Sequence, residues 1–182
     1  NIINNNYSNK INNKALLGIG MCLEKKSFNP KYILPISSSF ERNSFLECPI
    51  YEIDDTLMKS IWDAIAIYDS LSYISVEAAM KLADIKFKGI KDLDSALNIY
   101  QELMDGESPR KIKLNAGISL IDVLIVKGDL KTALIQAQNL SKKYKREDEI
   151  NIIKIKELQI NFLLGDLDAT SEKINFLLKA LS

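Results

Sequence analysis

Apolar residues recur along most of this chain at a helical interval. From Lys14 onward, Ala15, Leu16, Ile19 and Leu23 fall three or four apart, and Lys25 and Lys26 sit where a helix end favours positive charge. Asn29-Pro30 stops that segment; Pro30 suits the first turn of a short second helix, which Pro35 cuts off. The period is lost over 37–52, where a serine cluster, Asn43 and Pro49 predict an irregular insertion with an extended piece near Phe45 and Leu46.

Asp54 and Asp55 then open a run of regular helices. The first, over 56–71, carries the stripe Ile61, Ala64, Ile65 and Tyr68, with Trp62 beside it and assigned to the core. Ser75 caps a helix over 76–88, with Glu77 in its first turn. Asp92 starts another, over 92–104, ended by Asp105-Gly106. Ser108-Pro109 opens a helix to Lys127, closed by Gly128-Asp129. A helix to Tyr144, a charged turn over 145–148, a helix to Leu164, a turn at Gly165-Asp166 and a last helix to the end complete the pattern. The segment 114–126 is apolar nearly all round, as a central helix packed on both neighbours would be. No strand period is sustained in the C-terminal two-thirds, and short connections make antiparallel neighbours the default. The expected organisation is a flexible Asn-rich tail (1–13), a degenerate helical hairpin plus an irregular loop (14–53), and a helical repeat domain (54–182).

The helices also repeat. Gly128-Asp-Leu and Gly165-Asp-Leu stand 37 residues apart, as do Ala96 and Ala133 in the shared Asp-Leu-x-x-Ala pattern. Trp62-Asp-Ala64-Ile-Ala-Ile-Tyr68 matches Asp94-Ser-Ala96-Leu-Asn-Ile-Tyr100 at an offset of 32. Self-similarity at such a period marks stacked hairpins. At these positions the chain resembles the tetratricopeptide repeat family. The best unit runs over 77–110 with Ala83, Phe87, Ala96, Tyr100, Leu103 and Pro109; 114–146 follows with Gly117, Leu124, Gly128, Ala133 and Ala137; and 151–182 with Leu158, Gly165, Ile174 and Leu177. Departures are Asp84 where the family usually has Gly, a displaced turn glycine at Gly89, Thr170 for the usual Ala, and the long 37-residue spacing.

The resemblance implies an all-α, right-handed superhelical solenoid of antiparallel helix hairpins. It also implies a concave groove lined by the first helix of each pair. Carried over position by position, that groove is Lys81, Ile85 and Lys88, then Asn115, Ile118 and Asp122, then Ile155, Gln159 and Phe162. This mixed, fairly apolar surface suits a protein or peptide partner, with Asn115 able to bond its backbone. Most of the carboxylate clamp found in one branch of the family is missing, since its positions hold Lys81, Ile85 and Ser119 among others.

Composition narrows the chemistry. Lys and Arg number 24, Asp and Glu 24, so no basic excess advertises a nucleic-acid or anionic-membrane surface. The absence of histidine removes Ser-His-Asp and Cys-His catalysis and every His-based zinc site. Cys22 and Cys48 form no C-x-x-C motif and are expected as small buried hydrophobes, with one disulfide left open. The acidic pairs at Asp54-Asp55, Asp92/Asp94 and Asp166/Asp168, and the single Asp129, lie at helix starts, where capping accounts for them. Gly18-x-Gly20 lies within a helical pattern and fits close helix packing; Lys142 to Arg146 is followed at once by three acids and fits a solvated helix end.

No apolar run approaches the length of a membrane span. The chain opens on Asn1 and reads as a piece of a longer protein, so an anchor upstream stays open. The expected function is a protein–protein interaction scaffold or adaptor without catalysis, cofactor, metal or nucleic acid. Its richness in Ile, Asn and Lys suggests an AT-rich, bacterial genome; the compartment, cytoplasmic or periplasmic in a bacterium, stays open. The alternative is a peptide-sensing regulatory domain that controls an attached output domain.

Overall fold

The structure, a computed structural model, describes residues 2–27 and 58–166 together with 168, 170, 171 and 174. Among these residues it is all-helical, with seven helices and no strand. In chain order they are α1 (Ile2–Ser27), α2 (Met58–Ser72), α3 (Val76–Asp84), α4 (Leu93–Asp105), α5 (Arg110–Lys127), α6 (Leu130–Lys143) and α7 (Glu147–Leu164). The chain divides into two compact units, one ending at Ile99 and the other taking up Tyr100 onward, so the boundary falls within α4.

In the first unit α1 packs on α2, and α2 on α3. Ile61, Ala64, Ile65, Tyr68 and Leu71 recur every three or four residues and form the buried stripe of α2. They meet Leu82 and Ile85, with Leu17, Leu23, Ile67, Ile90 and Ile99 packed around them. Burial of each large side chain stabilises the unit by roughly 1.5–3 kcal/mol. The approach of α1 to α2 is set at Gly20, where an added Cβ would stand 2.7 Å from the Tyr68 ring. Gly18 has open space around it and has no such role.

Ser75 caps α3 as expected, its hydroxyl accepting from the Ala78 N–H at 3.3 Å. The helix then widens into a π-helical turn over Ile85–Gly89. It closes with the Ile90 N–H donating to the Ile85 carbonyl and the Asp92 N–H to that of Lys86. This extra residue explains the displaced glycine. Gly89 lies inside the turn, and the left-handed position falls on Lys91, at φ 59°. Asp92 then caps α4 by accepting from the Ser95 N–H at 3.2 Å. The Ser95 side chain first, then Lys86 and the Ser95 N–H, hold the Asp92 carboxyl below its ordinary range.

In the second unit α5 packs on α6, α6 on α7, and α5 on α7. The all-round apolar character expected of 114–126 is used in this way, with Leu114, Ala116, Gly117, Leu120, Ile121, Val123 and Leu124 buried. Gly117 admits Leu140 of α6, whose Cδ1 would lie 2.9 Å from a Cβ there. Ala133 and Ala137 are fully buried on α6. The two turns 37 residues apart are built alike. Gly128 (φ 79°) and Gly165 (φ 77°) are left-handed. Each donates to the carbonyl three residues back, while Asp129 and Asp166 donate to those of Leu124 and Asn161.

Several expectations need correction. Residues 2–13, expected as a flexible tail, are helical and continuous with α1; once a helix has formed, extending it costs far less than nucleating one. Trp62, expected in the core, is 53% exposed, because it stands one residue, and about 100° of helix, beyond the buried Ile61. Cys22 is exposed and free rather than buried. The expectations for Pro30, the insertion over 37–52, Cys48 and Asp54-Asp55 lie outside the described residues, as does most of the last helix.

Gly20→Val is expected to destabilise the chain by about 2 kcal/mol through overpacking against Tyr68. Lys91→Gly is expected to stabilise it by about 1 kcal/mol by relieving a left-handed side chain. Urea denaturation of both variants checks the pair; opposite signs are required.

Candidate functional site

The groove positions inferred from the repeat resemblance fare differently in the two units. In the first unit they are occupied. Lys81 reaches α1, its Nζ donating to the Glu24 oxygens at 3.1 and 3.3 Å. Glu24 also accepts the Tyr68 hydroxyl at 2.9 Å. Burial first, and the Glu24 charge second, push the Tyr68 phenol far above its usual range, so it stays a donor. Ile85 is fully buried in the core cluster. Lys88 pairs with Asp84 at 3.2 Å one turn back. Ile85 is therefore a packing residue, not a groove residue, and Lys81 is tied to α1. The repeat pattern alone gave no sign that α1 would lie there.

In the second unit more of the surface is free. Asn115 is exposed and Ile118 half-buried. Asp122 accepts from Lys156 of α7. Gln159 is buried and accepts from the same Lys156 at 3.4 Å. On α7, Ile152, Ile155, Phe162 and Leu163 are 40–47% exposed. Their spacing of three, seven and one places them, with Gln159, along one side of the helix.

Ion pairs fix α5 against α7 beneath that surface. Arg110 opens α5 and grips Glu149 in the first turn of α7 through two bonds, at 3.0 and 2.8 Å. Asp122, later on α5, meets Lys156, later on α7. The order of these contacts makes the two helices run in the same direction. Arg110 also stacks over the Tyr144 ring at 4.7 Å. The Arg110 bond holds the Glu149 carboxyl below its ordinary value, while burial raises the Tyr144 phenol. Glu157, almost fully buried, accepts from the Ser141 hydroxyl at 2.6 Å and from Lys154 at 2.8 Å.

Sequence reasoning missed these buried carboxylates. Glu149 was hidden in an acidic first turn. Glu157 left a signal, since it shares the row Ile153, Glu157, Ile160 with two buried isoleucines. A charge in an apolar row requires a partner. Both carboxylates are committed to neighbouring side chains, so their chemistry here is to join helices.

Among the described residues no group of acids and cysteines is placed to hold a metal ion, and no helix is long and apolar enough to cross a membrane. The chain matches no family model, no curated protein and no solved structure.

Two outcomes follow from the buried polar contacts. Glu24→Ala leaves the buried Tyr68 hydroxyl without its acceptor and is expected to cost about 2 kcal/mol; Tyr68→Phe in the same background should recover part of that loss, which a double-mutant cycle in urea reads. Glu149 has a depressed native value, so its stabilisation is present above its usual value near 4.5 and is lost as pH falls through the lower native value. Glu149→Gln should therefore flatten the acid limb of stability against pH, and an unchanged limb would show that Arg110 does not hold this carboxylate in solution.

Proposed function

We propose that this chain is a protein–protein interaction module, a scaffold or adaptor whose hairpins stack in the manner of tetratricopeptide repeats, and that it holds its partner on the outer face of α7. The proposal assigns it no reaction. The observation that carries it is two pairs of large apolar side chains on α7, Ile152 with Ile155 and Phe162 with Leu163, each at least 40% exposed, before and after the buried stretch 157–161. Single exposed apolar residues are ordinary, but four on one helix point to a partner. Asn115 on α5 is also exposed and suits a bond to a partner backbone.

Further support comes from rigidity. Arg110–Glu149 and Asp122–Lys156 tie α7 to α5 at two levels. A surface held in this way loses less freedom on binding. The repeated left-handed turns at Gly128 and Gly165 support the hairpin reading, because they close successive hairpins with the same bonds.

The test is cross-linked capture of partners from cells that make the protein, comparing the wild-type chain with Ile155→Asp and Phe162→Asp. A specific partner should be captured by the wild type and its affinity reduced more than about 30-fold by either variant, the loss expected of an interface hot spot. Circular dichroism should show unchanged helicity, since both positions are exposed. Equal capture by both variants would remove α7 as the binding face.

A further inference from the structure

We infer that the open end of the seam between α1 and α2 binds an acidic peptide segment in extended conformation. One row of α1 packs on the first unit through the C-terminal half of that helix. Leu17 lies against the core cluster, Gly20 admits the Tyr68 ring, and Glu24 accepts from Tyr68 and Lys81. Steps of three and four residues carry the same row back to Lys14, Asn13, Lys10 and Asn9. α2 ends at Ser72, but α1 continues beyond Leu17 towards Ile2. Where the row runs past the end of α2 it lines a cavity of about 350 Å³, a size within the range of ligand sites.

The lining sets the occupant. Leu71, buried, and Leu17, half-buried, give the cavity an apolar base. Asn9 and Asn13 line it from α1, one turn apart. A carboxamide carries both a donor and an acceptor, as a peptide group does. Four residues of helix rise about 6 Å, and an extended chain repeats every two residues, roughly 6.6 Å. Two carboxamides on this spacing therefore meet alternate residues of one strand lying along α1. A helical occupant would leave both idle, since its backbone groups are already bonded to one another. Side chains of the strand alternate, one set towards Leu17 and Leu71 and the other towards the rim. At the rim Lys10 and Lys14 stand beside the asparagines, with Glu77 of α3 as the acid among the lining residues. Two cations to one anion favour acidic side chains on the occupant. The site lies in the first unit and shares no residue with α7, so it does not rest on the face proposed above.

The probe is the peptide acetyl-Val-Asp-Val-Asp-Val-amide, titrated into the full chain labelled for nitrogen NMR. The side-chain amide signals of Asn9 and Asn13, identified by their loss in Asn9→Ala and Asn13→Ala, should shift saturably with a Kd below about 1 mM. The double variant should bind roughly tenfold or more weakly, read from the Leu17 and Ser75 backbone amides. Alanine is the better helix former, so α1 persists in that variant. Successive N–H groups of a strand point to opposite edges. Methylating one alternate set on the peptide should therefore abolish binding, and methylating the other should change it less than about threefold. Lys10→Glu with Lys14→Glu should transfer the preference to the matching peptide with lysine for aspartate.

No saturable shift at millimolar peptide would overturn the inference. So would equal binding of the two methylated peptides, binding unaffected by loss of both asparagines, or an unchanged charge preference in the lysine double variant. Shifts of the same signals with protein concentration alone also overturn it, and assign the cavity to a second copy of the chain. Peptide binding retained in Ile155→Asp and Phe162→Asp keeps this result separate from the α7 test.

Discussion

Close approach of helices at residues without bulk is the constraint on which both units depend. At Gly20 the ring of Tyr68 occupies the space that a Cβ would take, and at Gly117 the end of Leu140 does the same. A large side chain can enter a neighbouring helix this far only if the opposing position is empty. The fully buried alanines at 64, 78, 83, 96, 133 and 137 extend the same principle along α2, α3, α4 and α6. Interiors are packed like crystals, so these positions fix spacing as well as burial.

With the spacing set, long-range polar contacts select which helices meet. Glu24 draws together α1, α2 and α3 by accepting from Tyr68 and Lys81. Glu149 and Glu157 join α7 to α5 and α6 through Arg110 and Ser141. Such contacts need not add much net stability, because desolvation offsets much of the attraction. Their consequence is specificity: a slipped helix would leave a buried carboxylate unpaired, which costs several kcal/mol. The π-helical turn after α3 follows similar logic. It takes up one residue more than an α-helix would, and a non-glycine residue, Lys91, carries the left-handed strain.

Packing uses most of α5 and the middle of α7 and one side of α2, and what remains determines what the protein can meet. On α7 what remains is apolar and lies before and after the buried middle, Ile152 with Ile155 and Phe162 with Leu163. On α2 it carries Trp62, Asp63, Ala66, Asp69 and Ser70, all exposed. The two faces differ in chemistry because the inner rows, Ile61–Ala64–Ile65–Tyr68 on α2 and Ile153–Glu157–Ile160 on α7, have already been used by their own cores.

The sequence by itself determined the helices, because a 3.6-residue apolar period, a Ser or Asp cap and a left-handed Gly are local signals that act within a few residues. Ser75, Asp92, Asp129, Gly128 and Gly165 perform their expected roles for that reason. It also carried the close contact at Gly20 as a small residue in a helical run. What only the tertiary structure decided was which faces stay open. Lys81 lost its place in a groove because α1 came from more than 50 residues away to bind it, Ile85 because it joins the core of α2 and α3, and Trp62 left the core by a single helical step. Burial is a property of neighbours distant in the chain, and no local period encodes which neighbour arrives.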